Sequence, residues 1–284
     1  MDSFVLCMMW RLLVIPLMVV LVSSQSVSYD KNYKITWGGN HAQYFNQGQE
    51  LRLSIDPSSG AGFASNSYYG SGYFRMRIMV PNRDSSGVVT AYYLSSVKSN
   101  GYHDEMDFEF LGNEPGKPYI LQTNIFTGDS GNREQRIRLW FDPTANFHYY
   151  GILWNPYQIV FMVDEVPIRV FKNKMNIGIN YVTQPLQVQA TLWDGHQWAT
   201  QGGRPVNWGE SPFVARFQGF GIAGCPSGEA AIPGVCSSHR YWWNKYKELS
   251  LAQQRAYENV RSNFLLYDYC NDRGRTPKPP PECV

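Results

Sequence analysis

The 284-residue sequence has little net charge and no apolar run long enough to cross a membrane. Its formal net charge is +2, and charged residues make up 17% of the chain. A balance this small and dispersed leaves no electrostatic footprint for nucleic acid. Leu12 to Val22 is an apolar run of 11 residues, whereas a transmembrane helix needs about 20. We therefore expect neither a nucleic-acid partner nor a membrane span in the mature protein.

Several motifs of enzyme chemistry are also missing. His41, His148, His196 and His239 show no metal-ligand spacing, and the sequence contains no C-x-x-C pair and no G-x-S-x-G turn. The N-x-Ser/Thr sequence that accepts N-linked glycans is absent as well. The sequence therefore predicts no metal, no cofactor and no serine nucleophile.

The amino terminus and the cysteines both point to export. Arg11 precedes the apolar run and Val22-Ser23-Ser24 offers a small-residue cleavage site, so residues 1–24 are expected to be a signal peptide, with a retained anchor as the alternative. Cys225, Cys236, Cys270 and Cys283 remain after cleavage and suit two disulfides. Three pairings are possible. Nearest-neighbour pairing closes the shortest loops and is the one we expect.

Short alternating segments separated by Gly, Pro, Asn and Ser fill the chain from Tyr33 to about Phe220. They predict an all-β, antiparallel two-sheet sandwich or jelly roll at residues 25–222, because no helices lie between the strands. Residues 223–284 read as an extension held by its disulfides, with one helix from Ser250 to Phe264 that opens in a capping box. The predicted strands are Leu51–Ile55, Gly72–Val80, Val88–Leu94, Ile120–Phe126, Arg136–Phe141, His148–Trp154, Gln158–Val163, Val166–Phe171 and Leu186–Leu192.

The segment His103 to Gly112 carries the most distinctive pattern, H-D-E-M-D-F-E-F-L-G. Strand alternation places Glu105, Asp107 and Glu109 on one face and three apolar side chains on the other. Three acids without an interleaved cation repel each other, so folding alone does not favour them. A solvated acidic face and a calcium site are the alternatives, although the calcium loop pattern fails here because no Gly follows and the intervening residues are large and apolar.

Paired carboxylates that differ in protonation are what cleavage of a glycosidic bond requires. We expect an ionised Asp107 between the two glutamates, whose charge helps to keep a proton on one of them. The Cα atoms of Glu105 and Glu109 lie roughly 13 Å apart on an extended strand. A twisted concave sheet brings the carboxyl groups closer, so both the retaining and the inverting geometry stay open.

The run from His103 to Asn113 resembles the active-site signature of plant xyloglucan endotransglucosylase/hydrolases, which belong to glycoside hydrolase family 16. Further similar segments follow in the same order across the whole mature chain. They are Leu121-Gln122-Thr123-Asn124, Gly131 to Arg136, Leu139 to Thr144, Trp154-Asn155-Pro156, Trp198 to Gly203, and the closing region from Cys270 to Cys283.

The resemblance implies a concanavalin A-like jelly roll with an open cleft, in which xyloglucan is both donor and acceptor. It implies that Glu105 is the nucleophile, Glu109 the general acid/base, Asp107 the residue that holds the nucleophile, and His103 a supporting residue. It further implies secretion to the cell wall or apoplast, and we expect a monomer. The implied sugar-contacting residues are Gln122, Thr123, Asn124, Asn132, Arg133, Glu134, Arg136, Trp198, Ala199, Gly202, Gly203 and Arg275.

Two departures from the family pattern and two competing functions remain. The family's usual glycan acceptor after the signature is replaced by Asn113-Glu114-Pro115, and His196 and Gln197 stand where acids are usual. A non-catalytic carbohydrate-binding sandwich is one competitor; it predicts missing carboxylates, whereas all three are present. A hydrolase of mixed-linkage glucan or cellulose is the other. An assay for label transfer into xyloglucan separates these functions.

Overall fold

A computed structural model describes residues 27–97, 102–128, 131–200 and 203–284. The predicted signal peptide, residues 1–24, lies outside this part.

Three α-helices occur among the described residues: α1 (Tyr29–Asn32), α2 (His196–Ala199) and α3 (Leu251–Asn263). No described helix combines the length and the apolar character that a bilayer crossing would require. The strands are β1 (Tyr33–Trp37), β2 (Ala42–Phe45), β3 (Glu50–Ile55), β4 (Ala61–Met79), β5 (Val88–Ser95), β6 (Asp104–Leu111), β7 (Ile120–Thr127), β8 (Gln135–Arg138), β9 (His148–Trp154), β10 (Gln158–Val163), β11 (Val166–Lys172), β12 (Leu186–Asp194), β13 (Phe213–Gln218), β14 (Ala223–Ser227) and β15 (Leu265–Asp268).

The long strand β4 joins two antiparallel layers. Its first half pairs with β1 and β12 and belongs to the layer β1-β4-β12-β5-β6-β7-β8-β15. Its second half pairs with β13 and β9 and belongs to the layer β2-β3-β13-β4-β9-β10-β11. Gly70 and Gly72 lie between the halves. An added Cβ would come within 2.5 Å of Ile232 at position 70 and of Phe74 at position 72, so a larger residue would clash at either position. The predicted two-sheet antiparallel sandwich is therefore confirmed.

The core lies between the two layers and is rich in aromatic rings. Phe108 of β6 meets Tyr150 of β9 and Phe161 of β10 edge to face, with centroids 5.9 and 5.1 Å apart. Such T-shaped pairs stabilise a core beyond their area burial. The rings come from opposite layers, so they fix how the layer that carries the acids stacks on the other.

Most predicted strands are present, but β4 begins at Ala61 rather than Gly72, and β14 and β15 were not predicted. The bounds of β9 and β10 agree with the prediction. β8 ends at Arg138 rather than Phe141, because Phe141 leaves the ladder and stacks on His148. The short edge strands β1 and β2 were missed, since an edge strand needs little apolar surface. β13 was missed although its six residues alternate between buried and half-buried side chains.

The C-terminal extension is attached to both layers. β14 pairs with β4, and β15 adds to the edge of the acid-bearing layer by pairing with β8. The disulfides join Cys225 to Cys236 and Cys270 to Cys283, which is the nearest-neighbour pairing. The predicted helix is confirmed as α3, and Ser250 and Gln253 form the predicted capping box.

Candidate active site

The alternation predicted for the acid strand is found in β6. Met106, Phe108 and Phe110 are fully buried in the core, whereas the three carboxylates project from the opposite face of the sheet. They share one pocket of ≈ 400 Å³. Its lining is Trp37, Ala91, Tyr93, Glu105, Asp107, Glu109, Thr191 and Trp193. The two outer glutamates therefore face the same space, as a shared catalytic site requires.

A cross-strand row fixes the position of Glu109. Gln122 lies opposite Glu109 on β7, and Arg136 lies opposite Gln122 on β8. Gln122 donates from Nε2 to Glu109 Oε2 at 2.7 Å, and Arg136 donates from Nε to Gln122 Oε1 at 2.7 Å. The arginine therefore orients the amide so that its NH₂ group points at the carboxyl group.

The environment of Glu109 favours a proton on this carboxyl group near neutral pH. Burial is the main cause, and it raises the pKa of Glu109 to about 7, against an ordinary value of 4.5. The hydrogen bond from Gln122 lowers the pKa, and the nearby negative charge of Glu105 raises it. A carboxyl group with this pKa can give up and take back a proton at neutral pH, which is what a general acid/base needs.

Asp107 differs from its predicted state. It is only 6% exposed, and burial raises its pKa well above the usual range, with further increases from the charges of Glu105 and Glu109. A hydrogen bond also links Asp107 to Glu105. The expectation of an ionised Asp107 was therefore wrong, since two flanking carboxylates and burial favour its protonated form. A protonated Asp107 donates this hydrogen bond to Glu105.

His103 lies beside Glu105, as the sequence resemblance implied. Its Nε2 is 3.4 Å from Glu105 Oε2, and its ring stacks on Phe126 with centroids 4.9 Å apart. The histidine is 6% exposed. Glu105 is thus contacted by a protonated carboxyl group and an imidazole, both of which restrict its rotation.

Tryptophan side chains form one side of the cleft. Trp37 is 41% exposed and packs over Gly62, where an added Cβ would lie 2.3 Å from Trp37 Nε1. Trp193 lines the acid pocket, and its ring centroid lies 6.0 Å from that of Trp198. Exposed indole faces suit the C–H faces of pyranose rings. Trp198 therefore extends the aromatic surface away from the carboxylates.

The remaining predicted residues on this side follow Trp198 in the chain. Ala199 belongs to α2 and borders a second pocket that includes Leu111 and Arg204. Gly203 has a φ of +70°, a left-handed conformation that favours glycine. Gly202 lies outside the described residues. Of the two residues that depart from the family pattern, His196 contacts Asp194 through Nδ1 at 2.7 Å.

Charged groups lie on the other side, where the C-terminal extension meets the sheet. Arg275 donates from Nη1 to Glu134 Oε2 at 2.6 Å and from Nη2 to Asn132 Oδ1. Arg136 lies over the Tyr267 ring at 5.7 Å, and Tyr267 is its neighbour on β15. The extension therefore brings Arg275 and Tyr267 to the same edge as residues from the sandwich.

Two predicted sugar-contacting residues act as supports in this structure. Arg133 pairs with Glu282 at 2.8 Å, and its side chain is only 13% exposed. Asn124 accepts from the backbone N–H of Arg133 at 3.0 Å through Oδ1. Both interactions hold the loop at residues 131–133 against the strand and the extension.

Thr123 does not face the cleft. It is fully buried on the core side of β7, and its hydroxyl and carbonyl oxygens accept from Arg169 Nη1 at 3.0 and 2.9 Å. The prediction that it contacts sugar is wrong, because the residues on either side of it, Gln122 and Asn124, occupy the other face of the strand. A period-two reading of the same segment would have excluded it.

The structure also brings to the cleft residues that were not predicted from the sequence. Tyr93 and Thr191 lie on β5 and β12 and line the acid pocket beside Trp37 and Trp193. Both strands were predicted, and alternation along them would have put these residues on one face. Their pairing with β6 was not visible from sequence.

Among the described residues, no group of His, Cys, Asp and Glu is arranged to hold a metal ion.

Two family models match the chain. The model of glycosyl hydrolases family 16 matches residues 29–210, and the model of the xyloglucan endo-transglycosylase (XET) C-terminus matches residues 237–283. Xyloglucan endotransglucosylase/hydrolase protein 2 of Arabidopsis thaliana is 55% identical over 262 residues, covering 91% of this chain and 89% of the relative. Xyloglucan endotransglucosylase protein 34 of Populus tremula x Populus tremuloides is 48% identical over 260 residues, covering 90% and 88%.

Solved structures with lower identity share the fold. The β-glucanase of Bacillus licheniformis superposes with a TM-score of 0.55 at 22% identity, covering 66% of this chain and 89% of that protein. A β-1,3-1,4-glucanase (lichenase) from a mouse hindgut metagenome gives a TM-score of 0.56 at 21% identity, covering 71% and 96%. At this identity the likeness concerns the fold alone.

Proposed function

The chain belongs to glycosyl hydrolases family 16, and from that premise we propose that it is a xyloglucan endotransglucosylase/hydrolase that works through a glycosyl-enzyme intermediate with retention. The observation that carries this proposal is the row of three acids in one pocket, with the pKa of Glu109 raised to about 7. Relatives named for this activity match about nine-tenths of the chain. The donor is xyloglucan, and the acceptor is a second xyloglucan chain or water.

In the first step, a carboxylate oxygen of Glu105 attacks the anomeric carbon of the β-1,4-glucan backbone. Glu109 gives its proton to the glycosidic oxygen as the C–O bond breaks, so the leaving chain departs with a hydroxyl group. The hydrogen bond between Asp107 and Glu105 and the nearby His103 hold the nucleophile in place. Gln122 holds the acid.

In the second step, an incoming hydroxyl group attacks the glycosyl-enzyme and restores Glu105. The negative charge of Glu105 raises the pKa of Glu109 in the free enzyme. Glycosylation removes that charge, so the pKa of Glu109 falls. The deprotonated Glu109 then takes the proton of the acceptor as a general base.

The proposed sugar contacts lie on both sides of the acids. Trp198, Ala199 and Gly203 are proposed for one end and Gln122, Arg136 and Arg275 for the other, with Trp37, Tyr93 and Trp193 added from the pocket lining. Asn132 and Glu134 position Arg275, while Asn124 and Arg133 support their loop. We leave out Thr123, which points into the core.

The proposal extends to the organisation and location of the protein. We further propose that residues 25–222 form the catalytic unit and residues 223–284 an extension. We also propose that the protein is secreted to the cell wall or apoplast and that it is a monomer.

The experiment that tests this function follows label from a short xyloglucan oligosaccharide into polymer. Purified protein is incubated with xyloglucan and the labelled oligosaccharide, and incorporation and viscosity are measured together. Incorporation supports the transferase. A fall in viscosity without incorporation indicates a hydrolase, and binding without either indicates a non-catalytic carbohydrate-binding protein. Parallel reactions with mixed-linkage glucan and cellulose as donors test the related glucanase activities.

The variant Glu105→Gln tests the nucleophile. It keeps the size of the side chain but removes the attacking carboxylate, so label transfer should fall by about 10³-fold or more. Glu229→Gln changes an exposed acid outside the cleft and should transfer label at the wild-type rate. Near-normal transfer by a folded Glu105→Gln protein would exclude Glu105 as the nucleophile.

A further inference from the structure

The outer face of the second layer carries a group of arginines and aromatic rings. Along the second half of β4, Phe74, Met76 and Ile78 are buried in the core, so Tyr73, Arg75 and Arg77 point outward. The acid pocket lies on the outer face of the other layer, on the opposite side of the sandwich. We call this group the arginine–aromatic face. It comprises Arg52, Arg75, Arg77, Arg216, Phe45, Phe147 and Tyr149.

Aromatic rings hold each guanidinium group in place. Arg52 lies 3.8 Å from the centroid of Phe45, and Arg75 lies 4.8 Å from that of Tyr149. Arg77 is within 5.5 Å of both the Phe147 and the Tyr149 ring, and Arg216 is 5.0 Å from Phe147. Stacking of this kind restricts the guanidinium planes without using their N–H groups.

The arrangement leaves positive charge uncompensated. Arg52 and Arg216 are direct neighbours on β3 and β13, a pairing of like charges that destabilises a sheet. The buried Glu50 lies between them and accepts hydrogen bonds from both at 2.7 and 2.8 Å. Arg75 pairs with Glu165 at 3.2 Å. Among the described residues, these four guanidinium groups form ion pairs with two carboxylates only, Glu50 and Glu165.

Arg77 is the centre of this excess. Its Nη1 donates to the neutral amide oxygen of Gln218 at 2.9 Å. Within the described ranges, no carboxylate forms an ion pair with it, although it lies between two aromatic rings in the middle of the face. An unpaired, pre-positioned guanidinium group is suited to a carboxylate from outside the chain, because its fork matches both carboxylate oxygens.

Exposed aromatic rings continue the surface past Arg75. The Tyr73 hydroxyl donates to Glu165, and the Tyr73 ring meets Trp242 with centroids 5.7 Å apart. Trp242 in turn contacts Tyr246, and each of these two residues is 43% exposed. From Arg77 to Tyr73 the strand runs about 13 Å, so the surface is an elongated strip rather than a pocket.

We propose that the arginine–aromatic face, together with Tyr73, Trp242 and Tyr246, binds an extended carboxylated polysaccharide of the polyuronate type. The guanidinium groups recognise the carboxylates of successive sugar units, and the exposed rings offer flat apolar faces for the pyranose rings. The face is separate from the xyloglucan cleft, so the polyuronate is a second ligand that leaves the active site free.

The test measures binding of the full mature protein to de-esterified polygalacturonate, with fully methyl-esterified polymer as the uncharged probe. Wild-type protein should bind the de-esterified polymer, with affinity that falls as salt rises, and should bind the esterified polymer at least tenfold more weakly. The double variant Arg75→Gln/Arg77→Gln should lose at least tenfold in affinity. Neither arginine pairs with a buried acid, so folding should be kept. Transfer between xyloglucan chains should be unchanged.

The matched control is Lys117→Gln/Arg255→Gln, which removes the same charge from exposed positions outside the face. It should bind polygalacturonate as the wild type does. Equal losses in both double variants would overturn the proposal, because binding would then follow net charge alone. Equal binding of the esterified and the de-esterified polymer would overturn it as well. So would duplex DNA or sulfated dextran, if either polyanion bound as tightly as polygalacturonate.

Discussion

At the residue scale, protonation in the acid row depends on burial more than on the order of the acids. Both Asp107 and Glu109 have raised pKa values, and burial is the leading cause for each. The two groups differ in their partners, since Asp107 contacts a second carboxyl group and Glu109 contacts an amide. The contact between Asp107 and Glu105 keeps a proton between two acids. The contact with the Gln122 amide leaves Glu109 able to exchange its proton near neutral pH.

Gln122→Met tests this difference through the pH profile. The hydrogen bond from Gln122 lowers the pKa of Glu109, so its loss in an apolar side chain of similar length should raise that pKa above about 7. Activity that needs protonated Glu109 falls as pH rises through this pKa. The alkaline limb of kcat/KM should therefore move to higher pH in the variant.

Rates measured from pH 5 to 9 check this shift. Gln122 also faces the substrate, so a lower maximum is expected, but a loss of binding does not by itself move the midpoint. An alkaline limb that stays in place, or one that moves to lower pH, would contradict the role given to this hydrogen bond.

At the element scale, the position of the active site depends on β6 and its neighbouring strands. The C-terminal extension lies at one end of this layer. β15 pairs with β8, and α3 leads directly into β15. Ser250 caps α3 by accepting from the Gln253 backbone N–H, while Gln253 Oε1 accepts from the Ser250 N–H at 3.0 Å. Apart from Val260, the helix buries little, so its cap should contribute visibly to its stability.

Ser250→Ala should lower the free energy of unfolding by about 1 kcal/mol, because the backbone N–H of Gln253 loses the Ser250 hydroxyl as its acceptor. Urea unfolding of wild type and variant measures this difference. Ser262→Ala, an exposed position later in α3, is the matched control and should be neutral or slightly stabilising, since alanine favours helix. A cap variant as stable as the control would show that the capping box contributes nothing.

At the scale of the whole molecule, the acid row makes the fold less stable as pH rises. Glu109 has a pKa of about 7 in the folded protein and an ordinary value of 4.5 when unfolded. The folded state therefore binds more protons between these values, and stability decreases as pH rises through this window. A shift of this size corresponds to about 3 kcal/mol once pH is above 7.

Glu109→Gln should remove this loss. The variant should resemble the wild type near pH 4 and exceed it by about 2 to 3 kcal/mol near pH 8, since a neutral amide replaces a buried charge. Denaturant unfolding at both pH values measures the difference, and Glu229→Gln serves as the exposed control. A stability difference that does not change with pH would contradict the raised pKa.

The sequence alone determined the features that depend on local pattern and on short distances along the chain. Alternation in residues 105–109 is visible in the letters, so it placed the three acids on one face. Loop length favoured the pairing of Cys270 with Cys283, and the Ser250–Gln253 spacing gave the helix start. These features need no knowledge of which segments meet.

The surroundings of those residues follow instead from contacts between distant parts of the chain. Trp37 and Trp193 reach the acids through the pairing of β1, β4, β12, β5 and β6, which join segments far apart in sequence. The protonation of Asp107 depends on burial, and the outward direction of Arg77 depends on which layer β4 has entered. Burial and long-range strand pairing are properties of the folded chain, because many partners compete for each strand and the whole core selects among them.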